Sequence, residues 1–381
     1  MSVALAAGAV AGCSERQPHT DAAGSLSVAT ALGVPSATDL RSFARALEPR
    51  ELVFPTDHGP HPEFKTEWWY WIGNVATADG RRFGYQLTIF RSALTPETPR
   101  LETAAPAGES TWKTNQLYMA HFALSDIDGE GSAFHSFERF ARGAFGLAGA
   151  RPDPFRVWLE TWSVEEADGA WKLSARADDI ALELALRPGK NRVLHGDRGL
   201  SRKGDAAGAA SYYYSRSRMP TRGRLEIAER EYPVAGDSWF DREWSTSLLA
   251  EDEVGWDWLG AQLEDGREVM FFRLRRRDGS SARVDGTVVD AEGTFRPLRT
   301  AGFELVPRGL WTSPETGIAY PAGFLLDLPA EALELEVRPL LAGQELRHSF
   351  VYWEGAVEIA GSAPGRGFLE MTGYGERASP R

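Results

Sequence analysis

The feature that most restricts the fold is a two-residue alternation of apolar and polar side chains, broken at short intervals by turn signals. In Arg82 to Phe90, Phe83, Tyr85, Leu87 and Ile89 alternate with Arg82, Gly84, Gln86 and Thr88. Leu117, Met119, His121 and Ala123 share one face of Gln116 to Leu124, and Ile180, Leu182, Leu184 and Leu186 share another. Val269 and Phe271 resume the pattern after Asp265-Gly266. Side chains of a strand point alternately to its two faces, so this period is that of half-buried strands. Asp-Gly pairs begin at Asp79, Asp128, Asp168, Asp265, Asp278 and Asp285, and several separate alternating segments as hairpin turns do. The expectation is an all-β barrel or sandwich. A helical period is predicted in only one place, Asp39 to Leu47, with Thr38 as N-cap and Leu40, Phe43, Ala44 and Leu47 on one face.

The 381 residues are enough for two domains, each with its own core. The predicted division is a signal-type segment at 1–13, a linker and short helix at 14–50, and two β domains at 51–235 and 236–377. The net charge of −12 excludes a nucleic-acid partner, whose phosphates need a basic surface. The single cysteine, Cys13, rules out an internal disulfide framework and a Cys-rich zinc module. No apolar run reaches the ~18 residues of a spanning helix. Cys13 directly follows the small-residue apolar run Val3 to Gly12, where the lipidated cysteine of a bacterial lipoprotein stands; an ordinary signal peptide with an incidental cysteine is the alternative. On the first reading the protein is exported and touches the membrane only through a lipid at Cys13, with Ser14 to Pro35 as a flexible tether.

Four clusters hold side chains capable of chemistry. Asp57-His58-Gly59-Pro60-His61 precedes Glu67-Trp68-Trp69-Tyr70-Trp71. Two histidines three apart in a Gly/Pro loop do not have the helical spacing of a metalloprotease pair, so no metal and no cofactor is expected. Glu67 among indoles would have its pKa raised and would need a partner, a place His121 could fill. Tyr212 and Tyr214 fall on one side of Tyr212-Tyr213-Tyr214-Ser215, where paired phenols would give an apolar cavity a polar handle. The fourth cluster is Asp237-Ser238-Trp239-Phe240-Asp241-Arg242-Glu243-Trp244. Trp239, Asp241 and Glu243 face one way and Phe240, Arg242 and Trp244 the other. An acid flanked by tryptophan on an inward face stays protonated near neutral pH, as a general acid must. The alternative is a surface ion pair with Arg242. Trp256 and Trp258 share a face, and Trp353 precedes Glu354, so indoles could line a cavity for an apolar ligand.

Taken together, these clusters resemble the AttH/carotenoid 1,2-hydratase (CrtC-like) family, often labelled secreted hydrolases with lipocalin-like domains. The matching pieces are Phe54-Pro55-x-Asp57-His58-Gly59, Glu67-Trp68-Trp69-Tyr70, Ala120-His121-Phe122, Tyr212-Tyr213-Tyr214-Ser215, Trp239-Phe240-Asp241-Arg242-Glu243-Trp244, Tyr352-Trp353-Glu354-Gly355 and Met371-Thr372-Gly373-Tyr374. The resemblance implies two packed lipocalin-like β-barrels with a ligand cavity near their junction, export, and in many members an ABC-transporter permease encoded nearby. It implies Asp241 as the donor of a proton to a terminal alkene. Those hydratases carry a histidine and a tryptophan where Tyr212 and Tyr214 stand here, which leaves room for acid chemistry on a substrate other than a carotenoid.

Three functions follow as expectations. The first is a hydratase- or hydrolase-like enzyme acting on a terpenoid or lipid-like ligand. Asp241 would be the acid, Glu67 and His121 a supporting pair, and Trp68, Tyr70, Tyr212, Tyr214, Trp239, Trp256, Trp258 and Trp353 the walls of the pocket. The second is a non-enzymatic carrier of an apolar ligand working with a transporter. The third is sugar binding on exposed indoles. No G-x-S-x-G elbow supports a serine hydrolase.

Overall fold

The structure, a computed structural model, describes residues 36, 38–96, 114–129, 133–247, 249–250, 252–298 and 303–375. Cys13 and the apolar segment before it lie outside them. No described helix is long and apolar enough to cross a membrane.

The described chain is almost entirely strand, in two large antiparallel sheets. The first runs in the order Ala133–Arg142, Gln116–Asp126, Arg82–Ala93, Thr66–Ala76, Arg230–Ser245, Ala210–Ile227, Ile180–Leu186, Ala170–Ala177, Trp162–Ala167, Phe155–Leu159 and Ala148–Pro152. Val193–Leu194 and Leu200–Arg202 add to Ala210–Ile227. Its first two strands return against Phe155–Leu159, so the sheet is a nearly closed barrel. The second sheet runs Phe295–Pro297, Ser281–Val289, Glu268–Arg276, Glu253–Leu263, Gly365–Thr372, Val351–Gly361, Leu333–Pro339, Phe324–Leu328 and Glu304–Pro307, with Glu345–Arg347 beside Val351–Gly361; it is a half-barrel. These are the two packed barrel-like domains that the alternation and the resemblance lead one to expect.

The sheets part between Ser245 and Glu253. The position 235/236 therefore falls inside one strand of the first sheet, Arg230–Ser245, and by sheet membership the division lies some ten residues later. That strand is needed there because it bridges Thr66–Ala76 and Ala210–Ile227. The expected helix is also shorter, Asp39–Ser42. Phe43 leaves it in extended conformation, Ala44 N–H donates to the Glu63 carbonyl, and Phe43 and Ala46 are buried by a chain lying flat on the barrel. Asp168-Gly169 is a two-residue hairpin loop with both φ positive, as its sequence predicts. Asp285-Gly286 is not a turn but lies within Ser281–Val289, where a Cβ on Gly286 would stand 2.6 Å from the Met270 carbonyl oxygen.

Three cores result. One fills the first barrel and includes Trp69, Trp71, Phe240 and Trp244. A second fills the half-barrel and includes Phe324, Trp353 and Leu369. The third lies between the sheets and includes Tyr70, Tyr213, Trp239, Trp258, Phe272 and Phe368. Thr66–Ala76 and the second half of the other central strand, Ser238–Ser245, are thus buried on both faces, the first barrel on one side and the junction on the other. This explains why they carry aromatic residues at successive positions, with no polar face turned to water.

Candidate active site

A cavity opens at the junction and holds about 820 Å³ of free space, its mouth included. Strand register builds its first wall in two rows. One row reads His121, Thr88, Tyr70, Asp241, Ser215 across five neighbouring strands; the next reads Phe90, Trp68, Glu243, Tyr213. The facing wall carries Trp256, Trp258, Phe272, Phe350, Tyr352, Glu354 and Glu370. Trp258, Glu370 and Glu354 are paired in one row there.

Asp241 is the centre of the first wall and is buried. Trp239 Nε1–H donates to its Oδ1 at 2.6 Å, the Ser215 hydroxyl donates to the same oxygen, and the Tyr213 hydroxyl donates to Oδ2 at 2.5 Å. Trp258, from the facing sheet, donates Nε1–H to the Tyr213 oxygen at 3.0 Å. His195 Nε2 lies 2.6 Å from Ser215 Oγ and its Nδ1 lies 2.9 Å from Thr287 Oγ1. Since the Ser215 proton goes to Asp241, His195 donates through Nε2 and accepts the Thr287 hydroxyl at Nδ1. Burial, reinforced by Lys203, holds His195 down to about 3, so the ring is neutral. Burial pushes Asp241 up to about 7 despite these three donors, and the neighbouring Glu243 adds to the rise. Arg242 does not offset this, because it points to the other face, and Lys203, which also lines the cavity, is paired with Glu243. A carboxyl held by oriented donors, half-protonated near neutrality and facing a ring-lined cavity is equipped to give up and recover a proton.

The structure divides the sequence-predicted residues. Asp241, Trp68, Tyr70, Trp256 and Trp258 come together at the cavity. Trp239 stands behind its wall, against Asp241. His121 is also behind the wall, buried, with Nδ1 2.8 Å from the Tyr352 hydroxyl and Nε2 3.0 Å from Glu138.

Glu67 is not part of the site. It is on the first-barrel face of its strand, whereas His121 faces the junction, so the two are not partners. Arg91 and Arg242 both bond to its carboxylate, and His61 donates its backbone N–H to it at 3.1 Å. Burial works to raise its pKa, but the two guanidiniums and His61 outweigh burial and hold Glu67 well below the usual range. The loop histidines serve the same lattice: His61 Nε2 lies 2.8 Å from Asp57, and His58 Nδ1 lies 2.6 Å from the Tyr214 hydroxyl. Among the described residues no three histidine, cysteine or acidic side chains converge as metal ligands do.

Tyr212 and Tyr214 share one side, as the alternation predicts, but it is not the side of the cavity. Both point into the first barrel, Tyr212 donating to the Glu48 carbonyl, and Tyr213 faces the cavity instead. The cause is a bulge. Ile227 pairs with Arg230 across a two-residue loop, a register that would set Tyr214 opposite Glu243; between Arg216 and Met219 the register shifts by one, so Tyr213 pairs with Glu243 and Ser215 with Asp241. A one-residue slip exchanges the faces of every residue beyond it. Trp353 is likewise in the second core, its Nε1–H on the Ala342 carbonyl, and its neighbours Tyr352 and Glu354 face the cavity. The sequence reading missed Tyr213, Ser215, His195, Lys203, Glu354 and Glu370. For Glu354 a signal was available, since an acid next to an inward tryptophan on a strand faces the opposite way.

Comparison with known proteins agrees with this architecture. An AttH-like family model matches residues 45–374. A crystal structure described as an AttH from Nitrosomonas europaea is 34% identical, covers 87% of this chain and 100% of its own, and superposes with a TM-score of 0.76. Kievitone hydratase from Nectria haematococca, 11% identical over 87% of this chain and 98% of its own, shares the fold with a TM-score of 0.63. No curated protein matches the chain. By the extent of the family match, and by its agreement with a solved AttH structure across both sheets, the chain belongs to the AttH-like family.

Proposed function

We propose that the protein is a hydratase-type enzyme that adds water across a carbon–carbon double bond of an apolar, terpenoid- or lipid-like ligand, with Asp241 as the acid. The observation that carries this reading is the Asp241 carboxyl, buried at the cavity wall and poised at about 7. In the proposed step Asp241 transfers its proton to one alkene carbon, leaving positive charge on the more substituted carbon. The faces of Trp68 and Trp258 stabilise that charge. Water adds to the cation through oxygen and returns one of its protons to the Asp241 carboxylate, so the acid is regenerated and the sum is alkene plus water to alcohol. Tyr213 and Ser215 hold the carboxylate while it is charged. General acid catalysis of this kind contributes about 10²–10⁴-fold. A hydratase of the same fold, kievitone hydratase, fits the reading.

The test is incubation of the purified protein with prenylated phenols and linear terpenes in ¹⁸O-labelled water. An alcohol product carrying the label supports the enzyme. Retention of ligand with no product from any member of the panel supports the carrier alternative, in which the ligand is handed to or from an ABC-transporter permease. Export and lipid attachment at Cys13 are part of the same proposal. Cys13→Ser should release the protein from membranes, and unchanged fractionation would remove the anchor from the account.

A further inference from the structure

The cavity has two acidic corners, and they are treated differently. At one, Lys203 Nζ lies 2.9 Å from Glu243 and sits over two ring faces, 4.2 Å from the centroid of Phe272 and 5.3 Å from that of Tyr213. An ammonium is therefore already housed in this cavity by one carboxylate and a pair of rings. At the other corner, Glu354 and Glu370 are directly paired on neighbouring strands with both side chains on the cavity. Their neighbours are rings: Tyr70 donates its hydroxyl to Glu354 at 2.5 Å, Tyr352 lies beside Glu354, the Trp256 indole N–H bonds to Glu370, and Trp258 is the next residue in the Glu370 row. Among the described residues neither glutamate has an ion-pair partner; the nearby charges are the carboxylates of Asp241 and Glu243. Glu354 is 2% exposed, and its cost of burial is met by hydrogen bonds alone.

We infer that this second corner is a receptor for an organic ammonium group, so that the ligand of the cavity is an apolar chain or ring system bearing a protonated amine. The first corner shows the arrangement filled from within the protein, and the second repeats its chemistry, carboxylate and ring faces, with the cation to be supplied by the ligand. The cation is organic because a metal ion would need more converging oxygen or nitrogen ligands than the described residues bring together. The inference rests on the cavity being the ligand site and is independent of whether Asp241 is the acid.

Protonation gives the inference a second signature. Burial, then the charge of Glu370, pushes Glu354 well up, and burial pushes Glu370 to about 7 against the Trp256 donor. The titratable groups facing the pair are Tyr70 and Tyr352, both raised, Asp241 and Glu243 across the cavity, and Lys203 beside Glu243; His121 stands behind Tyr352. An ammonium favours the ionised pair, so its binding releases protons and tightens as pH rises. A neutral hydroxyl, which can donate to the ionised pair or accept from the protonated one, has a weaker preference.

The experiment compares geranylamine with geraniol, which share one skeleton, by quenching of tryptophan fluorescence in the full-length protein. At about pH 8 the amine should bind at least ~10-fold more tightly, and its advantage should shrink toward about pH 6. Glu354→Gln/Glu370→Gln should bring the ratio of amine to alcohol affinity near one. If the double variant fails to fold, Glu370→Gln alone should lower the ratio, and the pH dependence in wild type still decides. Geraniol binding as tightly as the amine, an amine advantage that survives in the variants, or no binding of the amine would each overturn the inference. The first of these would leave the Asp241 reading untouched, since a neutral isoprenoid would then be the ligand.

Discussion

Asp241 and Arg242, adjacent in the chain, present their side chains to opposite sides of one strand: Arg242 bonds to Glu67 inside the first barrel, and Asp241 faces the junction cavity with no ion-pair partner among the described residues. The same strand therefore neutralises one buried acid and leaves the other protonatable. Burial acts upward on both. Two guanidiniums bring Glu67 far down, and three neutral donors leave Asp241 at about 7. The first is a structural group and the second a chemical one, and each has its own measurable behaviour.

Removing the charge of Glu67 should unfold the protein without changing its chemistry. Glu67→Gln leaves the buried Arg91 and Arg242 without their counterion, a loss of about 3–5 kcal/mol for a buried pair broken on one side. Urea denaturation at neutral pH should show a lower midpoint, and the fraction that remains folded should keep its ligand affinity. A stable variant with lost turnover would return Glu67 to the catalytic group.

The bulge predicts opposite results for two neighbouring tyrosines. Tyr213→Phe removes a donor from the Asp241 carboxylate, so the pKa of the acid should rise and the alkaline limb of the turnover profile should move to higher pH. Tyr214→Phe removes a hydroxyl bonded to His58 inside the barrel and should leave the profile in place. Equal shifts in the two variants would mean that the register does not change between Arg216 and Met219.

Stability should depend on pH in two windows of opposite sign. Asp241 and Glu370 have folded pKa values raised to about 7, so their contribution is full below the ordinary carboxylate range and is lost as pH rises toward 7. The slope is at most about 1.4 kcal/mol per pH unit for each group. Glu67 and Asp57 have lowered values, Asp57 at about 2 despite its burial, through His61, the Val53 N–H and Arg50; their contribution is present above the ordinary range and is lost as pH falls below it. His58 and His195, both held down to about 3 by burial, oppose that loss up to the ordinary imidazole range, so thermal melts should pass through a maximum near that range and decline above it. In Asp241→Asn the decline above that maximum should be shallower, and an unchanged decline would place the titrating group elsewhere.

Much of this was legible in the sequence, and the limits have identifiable causes. Phe83, Tyr85, Leu87 and Ile89 read correctly because a single period of two fixes which face is buried. The split of Trp239, Asp241 and Glu243 from Phe240, Arg242 and Trp244 read correctly for the same reason. Tyr213 was missed because a bulge reverses faces without changing the local pattern. Glu67 was misjudged because its partners, Arg91 and Arg242, are distant in sequence and meet it only through strand pairing. Glu370 belongs to the facing sheet, and nothing local indicates that the first sheet will close over it. The helix ended early because burial of Phe43 and Ala46 on the barrel outweighed local propensity.

The most direct test of the account is turnover and ligand retention measured together in Asp241→Asn. The amide keeps the size of the carboxyl and its oxygen can still accept from Trp239 and Ser215, but its NH2 cannot accept from Tyr213 and has no acidic proton to give. The variant should retain the ligand within a few-fold of wild type and lose about 10²-fold or more of its turnover at neutral pH. Turnover at the wild-type rate in a variant that binds normally would contradict it.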